Sequence, residues 1–319
     1  MNLLIQIPCL NEQKTIIKVI ESIPKKIKGI KKIQIVILDD GSTDKTVSIV
    51  KKKFSKVKFL FNETNKGLAE TFKKGIDFAL TTKADIIVNI DGDNQYKGSD
   101  IPRLIKPIIN KLQNKKNGAD YIIGERNFKK IKSFSILKKF LQYFGNFVIR
   151  NIMNIKAKDV TSGFRAFNRV AASKIFYTND FTYTIESLIH LTDSKLQFSS
   201  IDIETNKPER NSRLFKSNLE YIFKTVLICL KTICIKKPLQ FFSLISLILF
   251  FVGLSLLWQE YFIHENYPSE NIFDSFKTTI GISFLIISLQ SFSIGILSFI
   301  SSKILYINLD TLSRIKLKK

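Results

Sequence analysis

The stretch from Ile86 to Gln95 places the strongest constraint on how this chain can fold. It is a mostly β-branched apolar run that ends in two carboxylates separated by one glycine. A run of this length and composition predicts a buried strand. Residues two apart in an extended chain point to the same side, so Asp91 and Asp93 are able to bind one cation. Such oxygen ligands suit Mg²⁺ or Mn²⁺, and a plain polar turn after the strand is the alternative interpretation.

Strands and helices alternate through the first half of the chain. Apolar runs at 3–7, 33–38, 57–61 and 86–90 each lead into a polar loop, and helical periodicity follows each loop. This alternation predicts a mostly parallel sheet with helices on both faces. Because ligands bind beyond the carboxyl ends of such strands, the four loops are expected to meet at one edge. Their convergence favours a nucleotide-and-metal site, and neither a dinucleotide-binding nor a P-loop motif occurs in the sequence.

Four motifs resemble those of the inverting glycosyltransferases of family 2. They are Ile-Pro-Cys-Leu-Asn-Glu at 7–12, Leu-Asp-Asp-Gly-Ser-Thr-Asp at 38–44, Asn-Lys-Gly at 65–67 and Asp-Gly-Asp-Asn-Gln at 91–95. Further along, the chain resembles the dolichol-phosphate mannose synthase-like, polyprenyl-phosphate branch of that family. The resemblance implies an α/β catalytic domain of the GT-A fold, with the Rossmann-like mixed sheet of nucleotide-diphospho-sugar transferases.

The same resemblance implies a role for particular residues. It assigns a divalent cation, Mg²⁺ or Mn²⁺, to three side chains of one loop: Asp91, Asp93 and Gln95. It assigns the nucleotide part of the donor to residues of the first three loops: Pro8, Asn11, Glu12, Asp39, Asp40, Lys66 and Gly67. It assigns the phosphates to three arginines, of which the last two lie in a basic loop at 206–216: Arg126, Arg210 and Arg213.

Five further residues are weaker candidates for contacts with the acceptor or the sugar. They are Lys138, Lys139, Ser162, Arg165 and Glu186. Lys138 and Lys139 either receive a lipid phosphate or belong to a solvated surface. Arg165 is either a phosphate ligand or a buried partner of a carboxylate. Glu186 either contacts the sugar or is an ordinary acid in the first turn of a helix. For Arg126, a solvated ion pair is the alternative to phosphate binding.

Two long uncharged segments predict a transmembrane hairpin. No charged residue occurs from Leu239 to Trp258 or from Thr278 to Ser302, and about 20 apolar residues suffice to cross a bilayer. The predicted organisation is a catalytic domain at 1–213, interfacial amphipathic helices at 214–237, a hairpin at 238–303 with spans at about 239–260 and 278–302, and a basic tail at 304–319. Cations outside both spans and acids between them place the catalytic domain and the C-terminus in the cytoplasm.

The membrane anchor decides among the partners that the charge allows. The chain has 50 Lys and Arg against 27 Asp and Glu, a net charge of +23, which suits nucleic acid or an anionic membrane. We expect the membrane and not nucleic acid, with a hexose transferred from a UDP- or GDP-sugar to a dolichyl or undecaprenyl phosphate. The alternatives are a transferase for a polysaccharide or other lipid, and a non-catalytic protein that binds anionic lipid or nucleic acid. Small and polar residues in the second span predict helix packing against the first span, another subunit of a homo-oligomer or a partner.

Overall fold

The computed structural model describes residues 1–126, 136–176, 183–207, 209, 218–266 and 276–318. The chain divides into two compact units. The first comprises Met1–Cys229 together with Asn308–Lys319, and the second comprises Leu230–Ile307. The predicted residues Arg210 and Arg213 lie outside the described residues, and so do the side chains of Lys138 and Lys139.

One mixed sheet forms the centre of the first unit. Its strands are β1 (Asn2–Cys9), β2 (Lys32–Asp39), β3 (Lys58–Phe61), β4 (Ile86–Asn89), β5 (Tyr121–Arg126), β6 (Arg165–Asn168) and β7 (Phe198–Ile203). Their order across the sheet is β3-β2-β1-β4-β6-β5-β7. Among these strands β6 is antiparallel to both of its neighbours, and the other pairs are parallel. The predicted mostly parallel sheet is confirmed, although the sequence pattern did not reveal β6.

Helices of the first unit cover the sheet. They are α1 (Ile16–Ser22), α2 (Thr46–Lys53), α3 (Leu68–Thr81), α4 (Ile101–Leu112), α5 (Ile136–Met153), α6 (Arg169–Ser173) and α7 (Tyr183–Leu191). Alternate β1 side chains point to opposite faces, as a pleated strand requires. Leu3, Ile5 and Ile7 pack in a core with residues of α1, α2 and α4. Gln6 points to the other face, toward Gly75 of α3.

The sheet brings the polar loops to one edge. Cys9 at the end of β1 lies opposite Asp39 at the end of β2, and β4 pairs in parallel with β1. Because β6 is antiparallel, its first residue Arg165 pairs with Asn89 at the end of β4. The loop that precedes β6 therefore reaches the same edge as the loops that follow β1, β2 and β4.

The second unit contains two long helices that pack through small side chains. Helix α8 (Asn218–Lys236) spans the boundary between the units and is followed by α9 (Pro238–Asn266) and α10 (Phe276–Lys318). Ser246 Oγ lies 3.1 Å from Ser288 Oγ. A Cβ on Gly253 would lie 2.8 Å from the Gly281 carbonyl oxygen, so the two backbones approach closely. Small residues at a helix contact are typical of packing in lipid.

Both α9 and α10 are long and apolar enough to cross a bilayer. Many of their large apolar side chains are exposed, among them Leu244, Ile248, Phe251 and Leu289. A core helix of a water-soluble protein buries such side chains, so the exposure fits contact with lipid. The structure thus agrees with the predicted hairpin.

Residues 304–318 of the predicted basic tail form the end of α10. The helix continues to Lys318, and its last residues belong to the first unit. Asp310 forms an ion pair with Lys174 at 2.9 Å, and Lys316 forms one with Asp77 of α3 at 3.1 Å. The end of α10 therefore packs on other residues of the first unit.

Candidate active site

Asp40, directly after β2, fastens the loop that precedes α3. Its Oδ1 accepts hydrogen bonds from the Lys66 amide at 2.9 Å and from Asn62 Nδ2 at 2.8 Å. Its Oδ2 accepts from the Gly67 amide at 3.0 Å. Gly67 has a φ of 87°, a conformation that glycine adopts without a steric penalty. The structure brings Asp40, Lys66 and Gly67 together as predicted, and it uses the Asp40 carboxylate to shape the loop.

Asn11 connects the loop after β1 to the loop after β2. Its Oδ1 accepts hydrogen bonds from the Thr43 amide at 2.8 Å and the Asp44 amide at 3.2 Å. Its own amide donates to Ser42 Oγ at 2.9 Å, and its φ is 54°. An asparagine tolerates this left-handed conformation better than most residues do. Asn11 therefore holds two of the predicted nucleotide-binding loops side by side.

Thr15 joins the loop after β1 to the loop after β4. Its hydroxyl lies 3.0 Å from Glu12 Oε2 and 2.8 Å from the Gly92 carbonyl oxygen. The Gly92 amide donates to the Pro8 carbonyl at 3.2 Å. A Cβ on Gly92 would lie 3.1 Å from the Cys9 Cβ, so glycine permits this approach. Pro8 and Glu12 therefore lie beside the Asp-Gly-Asp loop, as the sequence predicts.

Asp39 is buried at the end of β2, beside Cys9. Its Oδ2 accepts a hydrogen bond from the Ser42 amide at 3.1 Å, and its Oδ1 lies 3.8 Å from Cys9 Sγ. Burial raises the pKa of the Cys9 thiol well above its usual value, and the Asp39 charge adds to the effect. Cys9 is therefore a protonated packing residue at neutral pH and not a nucleophile.

Asp91 and Asp93 follow β4 and provide a pair of oxygen donors. Asp93 Oδ1 accepts a hydrogen bond from the Gln95 amide at 3.0 Å. Burial and the neighbouring Asp93 charge raise the pKa of Asp91 to about 7, and the Arg126 charge opposes them. A divalent cation relieves such repulsion between carboxylates, so the donor set fits Mg²⁺ or Mn²⁺. No group of three or more His, Cys, Asp or Glu side chains suited to a metal occurs among the described residues.

Two polar side chains that the sequence pattern did not reveal, Asn89 and Tyr183, lie beside Asp91. Asn89 Nδ2 and the Tyr183 hydroxyl each lie 3.5 Å from Asp91 Oδ1. Asn89 Nδ2 also donates to the Gly163 carbonyl at 2.8 Å. Burial raises the pKa of Tyr183 well above its usual value, so the hydroxyl keeps its proton and is a donor. An asparagine inside the apolar run 86–90 was the available signal for these contacts.

Arg126, at the end of β5, is held by a buried carboxylate. Its Nε donates to Asp159 Oδ2 at 2.7 Å, and its Nη2 donates to Asp159 Oδ1 at 3.2 Å and to Thr161 Oγ1 at 2.9 Å. Burial alone would lower the pKa of Arg126, but Asp159 raises it above its ordinary value. The guanidinium also acts electrostatically on Asp91, so Arg126 is a fixed cation near the Asp91 carboxyl group. The alternative of a solvated surface pair is wrong, because Asp159 is completely buried.

Arg165 is completely buried and fits neither of the roles considered for it. Its donors reach the carbonyls of Ser162, Val160 and Thr184, and the hydroxyls of Tyr121 and Ser187. These partners are neutral oxygens of the protein, so the side chain is not placed to bind a phosphate or to pair with a carboxylate. It ties the loop before β6 to helix α7.

Ser162 is completely buried. Its hydroxyl lies 3.4 Å from the Tyr96 hydroxyl and accepts a hydrogen bond from the Phe164 amide at 3.3 Å. Tyr96 stacks on Phe164 and also accepts from the Gly163 amide at 3.0 Å. Ser162 therefore shapes the loop before β6 and does not present its hydroxyl to an acceptor.

Glu186 lies in the first turn of α7 and is buried. Both interpretations considered for it, a sugar contact and a first-turn acid, stay predictions. Of the other weaker candidates, Lys138 and Lys139 lie in α5.

The start of the predicted basic loop at 206–216 contacts the loop that follows β4. The Asn206 amide donates to the Gln95 carbonyl at 2.9 Å, and Asn206 Nδ2 donates to the Asn94 carbonyl at 2.9 Å. Glu209 accepts from Asn94 Nδ2 at 2.8 Å and pairs with Lys18 at 2.8 Å. Asn206 and Glu209 therefore contact Asn94 and Gln95 in the loop after β4.

Comparison with known proteins agrees with this geometry. The sequence profile of glycosyl transferase family 2 matches residues 4–176. The chain belongs to this family. It is therefore a glycosyltransferase with a GT-A catalytic domain, and the alternative of a non-catalytic binding protein is wrong.

Two relatives and one solved structure illustrate the position of this family 2 enzyme. It is 35% identical over 170 residues to an uncharacterised protein of Methanocaldococcus jannaschii, a match that covers 50% of this chain and 68% of that protein. It is 29% identical over 219 residues to the UDP-N-acetylglucosamine–dolichyl-phosphate N-acetylglucosaminyltransferase of Methanococcus voltae, covering 62% and 83%. The glucosyl-3-phosphoglycerate synthase of Mycobacterium tuberculosis, crystallised with Mn²⁺, UDP-glucose and phosphoglyceric acid, superposes with a TM-score of 0.54 at 19% identity, over 72% of this chain and 79% of that one. The structural likeness concerns the fold.

Proposed function

We propose that this enzyme transfers a hexose, with inversion, from a UDP- or GDP-sugar to a polyprenyl phosphate at the cytoplasmic leaflet of a membrane. The observation that carries the proposal is a set of four strand-end loops joined through Asn11, Thr15 and Asp40, one of which contains Asp91 and Asp93, in a chain with two helices apolar enough to span a membrane. A sugar-nucleotide site tethered to a membrane favours a lipid acceptor. The dolichyl-phosphate substrate in the name of the Methanococcus voltae relative supports the same class.

An exposed aromatic stripe on α5 supports a lipid acceptor. The four side chains, spaced i, i+3, i+4 and i+7 on one helix face, are Phe140, Tyr143, Phe144 and Phe147, with 45–64% of each exposed. The opposite face buries Ile149 and Met153 in the protein. An aromatic face of this size suits the headgroup layer of a bilayer.

The charge around this stripe also suits an anionic surface. Residues 127–158 contain no acid and carry the cations Lys129, Lys130, Lys132, Lys138, Lys139, Arg150, Lys156 and Lys158. Arg126 and Asp159 flank the segment and form an ion pair, which anchors both of its ends at the active site. Lys138 and Lys139 are our proposed receivers of the lipid phosphate, because their charges suit a phosphate on a membrane surface.

The residues of this chain contribute mainly position and charge. A phosphate monoester is largely ionised near neutral pH, so its oxygen attacks the anomeric carbon without a strong general base. The leaving diphosphate requires cations, and we assign Arg126, Arg210 and Arg213 to it. Asp159 holds the Arg126 guanidinium in place before substrate arrives, which saves the cost of orienting it.

Asp91, Asp93 and Gln95 are the proposed holders of a divalent cation, which when bound would balance the charge of the leaving diphosphate. The proposed topology, with the catalytic unit and C-terminus cytoplasmic, rests on the cations that flank the two spans.

The test uses the full chain in vesicles with radiolabelled UDP- and GDP-sugars. Polyprenyl phosphate should become labelled, and Asp93→Asn should abolish the labelling. Asp202→Asn, a change to an exposed carboxylate on β7, is the matched control and should retain full transfer. Undiminished transfer in Asp93→Asn would contradict the metal assignment. Labelling of a polysaccharide or another lipid, with polyprenyl phosphate unlabelled, would contradict the acceptor.

A further inference from the structure

A series of buried, hydrogen-bonded polar side chains runs from β1 to Asp91. It begins at Gln6, a fully buried amide in the middle of the apolar strand β1. Gln6 Nε2 donates to Asn89 Oδ1 at 3.0 Å across the β1–β4 pair. The next contacts are Asn89 to Tyr183 at 3.3 Å and Tyr183 to Asp91 at 3.5 Å.

The direction of these hydrogen bonds is fixed by the chemistry of the partners. The Gly163 carbonyl can only accept a hydrogen bond, so it requires the NH₂ group of Asn89. Asn89 therefore turns its carbonyl oxygen toward the NH₂ group of Gln6. Its NH₂ group then faces three acceptors: the Gly163 carbonyl, the Tyr183 oxygen and Asp91 Oδ1. Because the Tyr183 oxygen accepts from Asn89, its proton is available to Asp91.

Packing holds the Tyr183 hydroxyl in place. The Tyr183 ring stacks on Phe72 of α3 with centroids 4.4 Å apart. Gly163 lies against both the Tyr183 hydroxyl and the Asp91 carboxyl group, since a Cβ there would be 2.6 Å from the Tyr183 oxygen and 2.5 Å from Asp91 Oδ2. The ring cannot easily turn, so the hydroxyl stays beside one carboxylate oxygen.

Stability alone does not account for this series of polar groups. Gln6 Oε1 is buried and has no hydrogen-bond partner among the described residues. A buried polar atom without a partner destabilises the fold, a cost that an apolar side chain would avoid. Its helix neighbour Gly75 leaves the space that the amide needs, since a Cβ there would lie 2.4 Å from Gln6 Oε1. The fold thus retains the unfavourable Gln6 amide at the position where that amide orients Asn89.

We propose that Gln6, Asn89 and Tyr183 are positioning residues that hold Asp91 in the geometry that binds the divalent cation. The inference rests on the proposed metal site. Side chains that hydrogen-bond a metal ligand fix its orientation, and their loss typically lowers metal affinity by about 10–100-fold. The long 3.5 Å contacts to Asp91 are expected to shorten when the cation binds.

The test measures Mn²⁺ affinity directly, by electron paramagnetic resonance on the full chain in nanodiscs with UDP or GDP present. Tyr183→Phe removes only the hydroxyl and keeps the ring on Phe72. Its dissociation constant for Mn²⁺ should rise by roughly tenfold or more. Tyr121→Phe is the matched control, because it also removes a buried hydroxyl, one that pairs with Arg165 and not with Asp91. Its Mn²⁺ affinity should equal that of the wild type.

A second variant keeps the proposal testable if Tyr183→Phe does not fold. Gln6→Met removes the amide that orients Asn89 and should weaken Mn²⁺ binding at a nearly unchanged melting temperature. Wild-type Mn²⁺ affinity in Tyr183→Phe, or in Gln6→Met where only that variant folds, would overturn the inference. Asp93→Asn distinguishes failure of the proposed metal site from failure of the positioning role. Equal Mn²⁺ binding by the wild type and Asp93→Asn would refute the metal site itself.

Discussion

Gly163→Ala is expected to disable the site while the fold persists. The new Cβ would lie 2.5 Å from Asp91 Oδ2 and 2.6 Å from the Tyr183 hydroxyl. Ordinary contact begins at 3.4 Å, so these atoms are short of it by about 0.9 Å and 0.8 Å. Since Tyr183 is stacked on Phe72, the Asp91 carboxylate is the group that must move.

The size of the effect follows from that displacement. Misplacing a reacting group by about 1 Å can cost about 10²-fold in rate, which is about 2.7 kcal/mol of transition-state stabilisation. Overpacking a buried position costs about 1–3 kcal/mol of folding stability. We therefore expect kcat/KM to fall by about 10²-fold and the melting temperature to fall by a few degrees.

The assay compares transfer of labelled sugar to polyprenyl phosphate by purified Gly163→Ala and Gly118→Ala. Gly118 is equally crowded, with a built Cβ 2.6 Å from the Lys111 Cα, but it lies in the connection between α4 and β5. Gly118→Ala should lose stability and retain its kcat/KM. If Gly163→Ala keeps transfer within about threefold of the wild type, the position assigned to Asp91 is wrong.

Three other predictions follow from named contacts. Asp159→Asn leaves the buried Arg126 guanidinium without its counter-charge, so the free energy of unfolding measured in urea should fall by about 3–5 kcal/mol. The double variant Arg126→Met/Asp159→Leu should recover most of that stability but not the sugar-transfer activity. The pKa of Asp91 is raised from 3.8 to about 7 in the metal-free folded state, so folded Asp91 keeps its proton to a higher pH than unfolded Asp91 does. The melting temperature should therefore fall as the pH rises from about 4 to about 7, and the affinity for Mn²⁺ should increase as the pH passes 7. Asp91→Asn should abolish both trends. Phe140→Ser/Phe144→Ser should raise the KM for polyprenyl phosphate roughly tenfold and leave the KM for the sugar nucleotide unchanged; equal changes in both would argue against lipid contact by α5.

The strands, the order of the loops and the two long helices could be predicted from the sequence. Each depends on residues close together in the chain: the period of apolar residues, the polar residues that end a strand, and the length of an uncharged run. The carboxylates Asp91 and Asp93 were found in this way, and the parallel sheet then placed the loops after β1, β2 and β4 at one edge.

The antiparallel strand β6 was not predictable in the same way. Its four residues, Arg165 to Asn168, are fully buried but begin with a charged residue. An arginine at a strand start suggested a ligand, whereas the structure surrounds it with carbonyls and hydroxyls from three segments. Only the folded chain supplies those partners.

The sequence alone determined that this chain has a strand-end carboxylate pair, polar loops at the ends of its parallel strands and two helices long and apolar enough to span a membrane. The tertiary structure decided which groups hold the site in place. Arg126 and Asp159 are 33 residues apart, and Asn89 and Tyr183 are 94 residues apart, yet each pair is in contact. Such hydrogen bonds depend on how distant strands and loops pack against one another. The local pattern of apolar and polar residues does not specify these long-range contacts.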